Sequence, residues 1–384
     1  MNAAVRIRDG WHEALWAFLG ARGLLTAISV IGGGMLALPP GQPPTDAGFS
    51  NPPLAPGWHM AITAVQRQDA QWFLRLATTG YGHGDHSAAF FPAFPLAIRV
   101  VDAVPGIGPL GAGLLVANAC AFAALLLLHA LTRYELGEDA ARRAVLFTAL
   151  FPTAFFLYAP YTESLFLLAS VACFWFARRD RWVWAAAAGA TAAATRSIGI
   201  VLILALWVEV VGQYRRDRRP MLPRFLAAGA VAIGPALYTG WWWLRARDPW
   251  APLDAQRAWR PDGAQQPIAT IVHAVQLAFR YQSWWLLDLT VVTLAVVGIV
   301  LAARRIAPTY TVYAGASVLL PLLLPLASRP LLSMPRFMAV VFPVSWGWAL
   351  GASRRRPPET AVLVAFAGGF ALLAFLFINW QFVF

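Results

Sequence analysis

Residues 108–131 read GPLGAGLLVANACAFAALLLLHAL, a run of apolar and small residues with no charged side chain. One helix of that length crosses the hydrocarbon core of a bilayer, which takes about 20 predominantly apolar residues. Similar runs recur near 20–38, 144–159, 162–177, 182–195, 198–213, 223–244, 284–303, 309–327, 338–352 and 360–379. Together they predict about eleven spans, some of them short or broken. The runs between 144 and 213 are separated by only a few residues. Two long hairpins that partly re-enter the membrane are the alternative there. Composition points the same way: of 384 residues, 59% are hydrophobic and 12% charged, and the mean hydropathy is +0.59. A soluble domain cannot cover that much apolar surface with so few charges. Soluble enzymes, disordered tails and fibrous repeats are therefore excluded. The expected fold class is an all-α polytopic membrane protein.

The net charge is +12, from 30 basic and 18 acidic residues, and every basic residue is Arg. With abundant Ala, Gly and Pro, that usage suggests GC-rich coding. The arginines are scattered between apolar runs rather than gathered on a phosphate-binding face, so nucleic acid is not an expected partner. Arg6 and Arg8 precede the first span. Arg133, Arg142 and Arg143 follow the second, and Arg178, Arg179 and Arg181 the fourth. Arg215, Arg216, Arg218 and Arg219 follow the sixth, Arg304 and Arg305 the eighth, and Arg354, Arg355 and Arg356 the tenth. All fall on one side if the N-terminus is cytoplasmic, as the positive-inside rule requires. The first run reads as a signal-anchor, being long and without a clear A-x-A end. An odd number of spans puts Phe384 outside, in a multi-pass plasma-membrane protein.

The outer face then owns two long segments, about 39–107 and 245–283. The first opens with Pro39, Pro40, Pro43, Pro44, Pro52, Pro53 and Pro56 before turning helical. The whole chain, 1–384, is expected to form a single domain. Cys120 and Cys173 lie in apolar runs and suggest no disulfide, zinc site or redox pair. The absence of Lys excludes a Walker-type ATP site. Glu209 and Asp288 sit near span ends, not mid-membrane where a proton-coupled transporter would need them.

Chemistry is expected in the outer segments. Asp69, Trp72, Phe73 and Leu76 share one face of an amphipathic interfacial helix, with Arg67, Gln71 and Arg75 on another. Asp69 is either a functional carboxylate or one paired with an arginine a turn away. His83, Asp85 and His86 have ligand chemistry for a metal but sit in a Gly-rich loop, so no metal is expected. Glu163, Arg196 and Arg336 interrupt apolar sequence on the outer side. They read either as an ion pair stitching helices together or as groups that meet a phosphate. Trp241, Trp242, Trp243, Trp250 and Trp259 surround Arg257 and Arg260, a combination suited to membrane anchoring and to sugar and phosphate contact.

Several motifs occur in a specific order. They are Arg67-Gln68-Asp69-Ala70-Gln71-Trp72-Phe73, Gly80-Tyr81, Ala89-Phe90-Phe91-Pro92 with Pro95-Leu96, Phe151-Pro152-Thr153-Ala154, Tyr161-Thr162-Glu163-Ser164, Thr195-Arg196-Ser197, Asp248-Pro249 with Gln256 and Trp259, and Ser333-Met334-Pro335-Arg336-Phe337. The set, over roughly 60–345, resembles the PIG-V-type mannosyltransferases. Gln68 stands where that family has Trp, and Ala93-Phe94 where it has Leu-Tyr. The resemblance implies a GT-C-like bundle and an outer-face site. It also implies inverting transfer of mannose from polyprenyl-phosphate-mannose to a glycolipid, lipoglycan or secreted protein. The lipid-linked sugar is then a co-substrate and no other cofactor is expected. Asp69 takes the place of the family's acid and is expected to be the general base. The expected substrate-binding residues are Arg67, Trp72, Tyr81, Glu163, Arg196, Gln256, Trp259, Arg260 and Arg336, with arginines holding the leaving phosphate. The alternatives are a flippase for a lipid-linked sugar, which needs a continuous polar path, and a non-catalytic scaffold.

Overall fold

The computed structural model describes residues 7–36, 57–352 and 358–381, with the backbone alone at Ile7, Arg8 and Pro358. Arg6, the seven prolines of 39–56, Arg354, Arg355, Arg356 and Phe384 lie outside the described residues. The described residues form helices joined by turns, with no strand among them.

The first helices are α1 (Trp11–Gly32), α2 (Met60–Thr63), α3 (Asp69–Thr78), α4 (Ala93–Asp102), α5 (Gly108–Leu136) and α6 (Glu138–Ala149). Next come α7 (Glu163–Arg178), α8 (Trp182–Thr195), α9 (Val201–Asp217), α10 (Leu222–Gly229), α11 (Ile233–Ala246) and α12 (Ala251–Trp259). The last are α13 (Pro267–Tyr281), α14 (Ser283–Ala303), α15 (Pro308–Leu323), α16 (Met334–Met338), α17 (Pro343–Ala352) and α18 (Pro358–Ile378). Five helical stretches are long and apolar enough to cross a membrane: Trp11–Gly32, Gly108–Leu136, Ser197–Asp217, Ser283–Ala303 and Glu359–Ile378. The other predicted runs fold as shorter or interrupted helices.

Run 144–159 shows why. Its helix, α6, stops at Ala149 before Pro152, and a short 3₁₀ turn follows at Ala154–Leu157. The residue before a proline avoids helical backbone, which ends the helix here. The irregular stretch is buried, so its polar groups must be satisfied within the protein. Asn118 donates to the Tyr158 carbonyl at 3.2 Å, the Tyr158 hydroxyl to the Ala149 carbonyl at 3.2 Å, and the Thr153 hydroxyl to the Pro335 carbonyl at 2.7 Å.

Ion pairs mark two ends of the bundle. At one end Arg133 meets Asp9 (2.7 Å) and Glu138 (2.6 Å), and Arg143 meets Glu359 (2.8 Å). Arg178 there meets Glu135 (2.6 Å) and the buried Glu209 (2.9 Å), and Arg219 meets Asp180 (2.9 Å). These arginines come from the clusters expected to share a side. The other end holds Asp69, Glu163, Arg196 and Arg336, together with Asp288, which is buried against Arg329 at 2.6 Å.

Where helices cross closely, small residues permit it. A Cβ on Gly347 of α17 would lie 1.6 Å from the Gly298 carbonyl of α14. Gly347→Ala is therefore expected to force the two helices apart and cost about 1–3 kcal/mol, as overpacking does. Gly315→Ala, in the interior of α15 with nothing within 4 Å of its Cβ, should not lower stability and is expected to raise it by up to about 1 kcal/mol. Thermal unfolding of both variants in detergent checks the contrast.

Candidate active site

Asp69 is the first residue of α3 and Glu163 the first of α7. A helix N-terminus carries partial positive charge and favours a carboxylate. The residue before Asp69, Gln68, has φ of 50°, a strained conformation for a side chain with a Cβ. Two contacts hold that turn: the Tyr161 hydroxyl donates to the Arg67 carbonyl at 2.9 Å, and the Gln68 amide donates to the Gln381 carbonyl at 3.2 Å. Gln68, which departs from the family pattern, thus spends its side chain on the C-terminal segment.

Four of the sequence-selected residues form one network. Arg336 on α16 reaches Asp69 Oδ2 at 2.7 Å through Nη1 and Glu163 Oε1 at 2.9 Å through Nε. Arg196, in extended backbone just after α8, pairs with the same Glu163 Oε1 and donates to the Thr162 hydroxyl at 3.2 Å. Aromatic faces complete the cation environment. Arg196 lies 4.5 Å from the Phe337 ring centre, and Arg336 lies 5.4 Å from that of Tyr161. The two carboxylates differ in access. The Glu163 side chain is 0% exposed and the Asp69 side chain 34%. Glu163 balances two buried cations, while Asp69 presents a carboxylate to whatever enters.

Arg260 follows α12 and donates to the carbonyls of Leu324 and Leu332 (the latter at 3.5 Å), just before the loop that carries Arg336. Burial, and then the nearby Arg336 charge, push its guanidinium below the usual arginine range. Its described hydrogen bonds go to carbonyls, not to a carboxylate, so it brings uncompensated positive charge to this end. Arg257, three residues earlier, is 70% exposed and pairs with Asp254 on its own helix.

An aromatic shelf continues from Asp69. Trp72 stacks on Phe90 (5.2 Å between centres), and Trp259 meets Phe90 edge-on at 6.5 Å. Trp259 stays exposed, and Gln256 on α12 is half-buried. Tyr81 belongs to a neighbouring group. Its hydroxyl donates to the Phe90 carbonyl at 2.9 Å, and its ring packs against Tyr238, Trp241 and Trp242. Burial raises that hydroxyl well above the usual tyrosine range.

Arg67 needs correcting as a substrate contact. It is fully buried and donates to the carbonyls of Ile378 (3.1 Å), Thr63 (3.1 Å) and Gln66 (3.2 Å), with its guanidinium 4.8 Å from the Trp380 ring. Burial lowers its pKa to about 10, so it stays charged at neutral pH. It ties the turn before Asp69 to the end of α18 and presents no surface to a ligand. In the Gly-rich loop, Asp85 is taken up by Arg75 (3.1 Å) and the Ser87 amide (3.0 Å).

Residues 49–223 match the family model described as Mannosyltransferase (PIG-V). The matched stretch carries Asp69, Glu163 and Arg196, and Arg260 and Arg336 lie beyond it. The family resemblance of the motifs is thereby confirmed over that stretch. Among solved structures, the oligosaccharyltransferase of Archaeoglobus fulgidus is similar at a TM-score of 0.35 and 14% identity. The match covers 77% of this chain and 45% of that one, so the chain spans less than half the length of that protein. No curated protein matches the chain.

Glu163→Gln strands Arg196 and Arg336 as buried, poorly compensated cations. It is expected to cost about 3–5 kcal/mol, the usual result of breaking a buried pair from one side. Asp69→Asn, at a partly exposed position, should cost clearly less. Comparing the thermal midpoints of the two variants checks this order.

Proposed function

We propose, from the match of residues 49–223 to the PIG-V mannosyltransferases, that the chain is an inverting glycosyltransferase. It moves mannose from polyprenyl-phosphate-mannose to a glycolipid, lipoglycan or secreted protein outside the plasma membrane. In this reading the 384 residues are one GT-C-like transmembrane domain with a cytoplasmic N-terminus. The site end of the bundle then faces outward.

The observation that carries the reading is the unequal pair of acids. Asp69 is accessible and has Arg336 on Oδ2, while Glu163 is sealed between Arg196 and Arg336. The acceptor hydroxyl approaches Oδ1 of Asp69 and gives up its proton there. The acceptor oxygen bonds the anomeric carbon as that carbon's bond to the phosphate oxygen breaks. The bonding pair leaves with polyprenyl phosphate, which gains negative charge. A phosphate leaves readily, so no second, protonated carboxyl is needed on that side, unlike in a glycosidase. The leaving group needs cations in place beforehand.

Arg260 suits that task best, because Arg196 and Arg336 already share Glu163 and Asp69. Trp259 offers an exposed ring face to the sugar, with Gln256 on the same helix, while the buried Trp72 backs this shelf through its stack on Phe90.

The test uses purified protein with polyprenyl-phosphate-mannose and candidate acceptors. Asp69→Asn is expected to abolish transfer while still binding donor. Arg260→Gln is expected to lower kcat more than it raises the KM for donor, because the charge it answers grows as the phosphate leaves. Transfer by Asp69→Asn at the wild-type rate would sink the base assignment. Donor movement across vesicles with no transfer by any variant would favour a flippase.

A further inference from the structure

Away from the site just described, at the arginine-rich end, one side chain from each of three helices points into a common space. Glu13 comes from the first turn of α1, His129 from near the end of α5 and Glu138 from the start of α6. One donor atom from each lies within 4.8 Å of the other two. We propose that these residues bind a divalent transition-metal ion of the zinc type, which pins the ends of α1, α5 and α6 together.

His129 carries the argument. Its side chain is 1% exposed, yet Nδ1 makes no hydrogen bond and the described partner of Nε2 is Glu138 of the same cluster. A buried imidazole left that way is costly, and buried polar groups are normally partnered. Nε2 faces Glu138 Oε1 at 3.3 Å, close to the spacing of two ligands around one small cation. Glu13 Oε2 is also buried without a hydrogen bond.

The other side of the ring is packed against Gly10, where a Cβ would come within 2.1 Å of Nδ1. The ring is thus held in place and cannot swing out to water. The far oxygen of Glu138 is taken by Arg133 at 2.6 Å, and Arg133 in turn by Asp9 at 2.7 Å. That arrangement orients the ligand carboxylate as outer partners do in metal sites. One imidazole and two carboxylates suit zinc, manganese or iron(II), with water as the remaining ligand.

The experiment uses full-length protein without a histidine tag, stripped with chelator and titrated with Zn²⁺ by calorimetry in detergent. Wild type is expected to bind one equivalent and to show a zinc-dependent rise in thermal midpoint. Glu13→Gln and Glu138→Gln, each milder than removing the buried ring, are expected to weaken binding by about tenfold or more and to abolish the rise. A His83→Asn/His86→Asn double variant should bind as wild type does. The proposal is overturned if zinc does not bind, in which case His129 and Glu138 are an ordinary ion pair. It is equally overturned if binding ignores both glutamate variants or is lost with His83 and His86.

Discussion

A charge placed in an apolar interior must be balanced where it stands, and Glu163 is where this chain meets that requirement. Its carboxylate is sealed from solvent and answers two guanidiniums, Arg196 and Arg336. Satisfying it brings together the start of α7, the end of α8 and the short α16. Through Arg336 it also brings in Asp69 at the start of α3, 267 residues away in sequence. Buried charge that lacks a partner is far more costly than a surface pair is beneficial. The network therefore dictates which ends of which helices lie side by side. The Tyr161–Arg67 and Thr153–Pro335 contacts brace the same junction from the backbone.

The arginines consequently do two kinds of work. At one end they pair with Asp9, Glu135, Glu138, Asp180, Glu209 and Glu359 and hold connectors together. At the other end Arg196 and Arg336 are balanced by Glu163 and Asp69, Arg329 by Asp288, and Arg260 adds a cation whose described hydrogen bonds go to carbonyls. That local excess, beside an accessible carboxylate and a shelf of aromatic rings, is an arrangement a sugar phosphate can use. A purely structural junction has no need of it.

Much of the helical framework was legible because hydrophobic length is a local property. The long runs 108–131, 284–303 and 360–379 became long helices with small shifts at their ends. Run 144–159 was read too generously, because Pro152 breaks the helix and packing against neighbours, not regular structure, satisfies the rest. Asp69, Glu163, Arg196 and Arg336 stood out because charge is scarce in apolar sequence and needs a reason. Arg67 looked equivalent to them. Its difference lies in direction, since the turn at Gln68 sends Arg67 inward toward the carbonyls at the end of α18. Arg260 but not Arg257 was expected at the site, and the end of α12 between them separates the two: Arg257 is exposed beside Asp254, and Arg260 donates to the carbonyls of Leu324 and Leu332. Glu13, His129 and Glu138 gave no signal at all, being spread over three helices with no motif spacing.

The sequence by itself determined a helical membrane chain in which charge is scarce, and it named Asp69, Glu163, Arg196, Arg260 and Arg336 as candidates for the site. Both follow from short-range facts: the length of an apolar run and the cost of interrupting it. Only the tertiary structure decided which acid is accessible and which is sealed, which arginines are balanced and which is left over, and that a histidine and two glutamates share a pocket. Those distinctions depend on burial and on partners far apart in the chain, and neither is set until the helices pack.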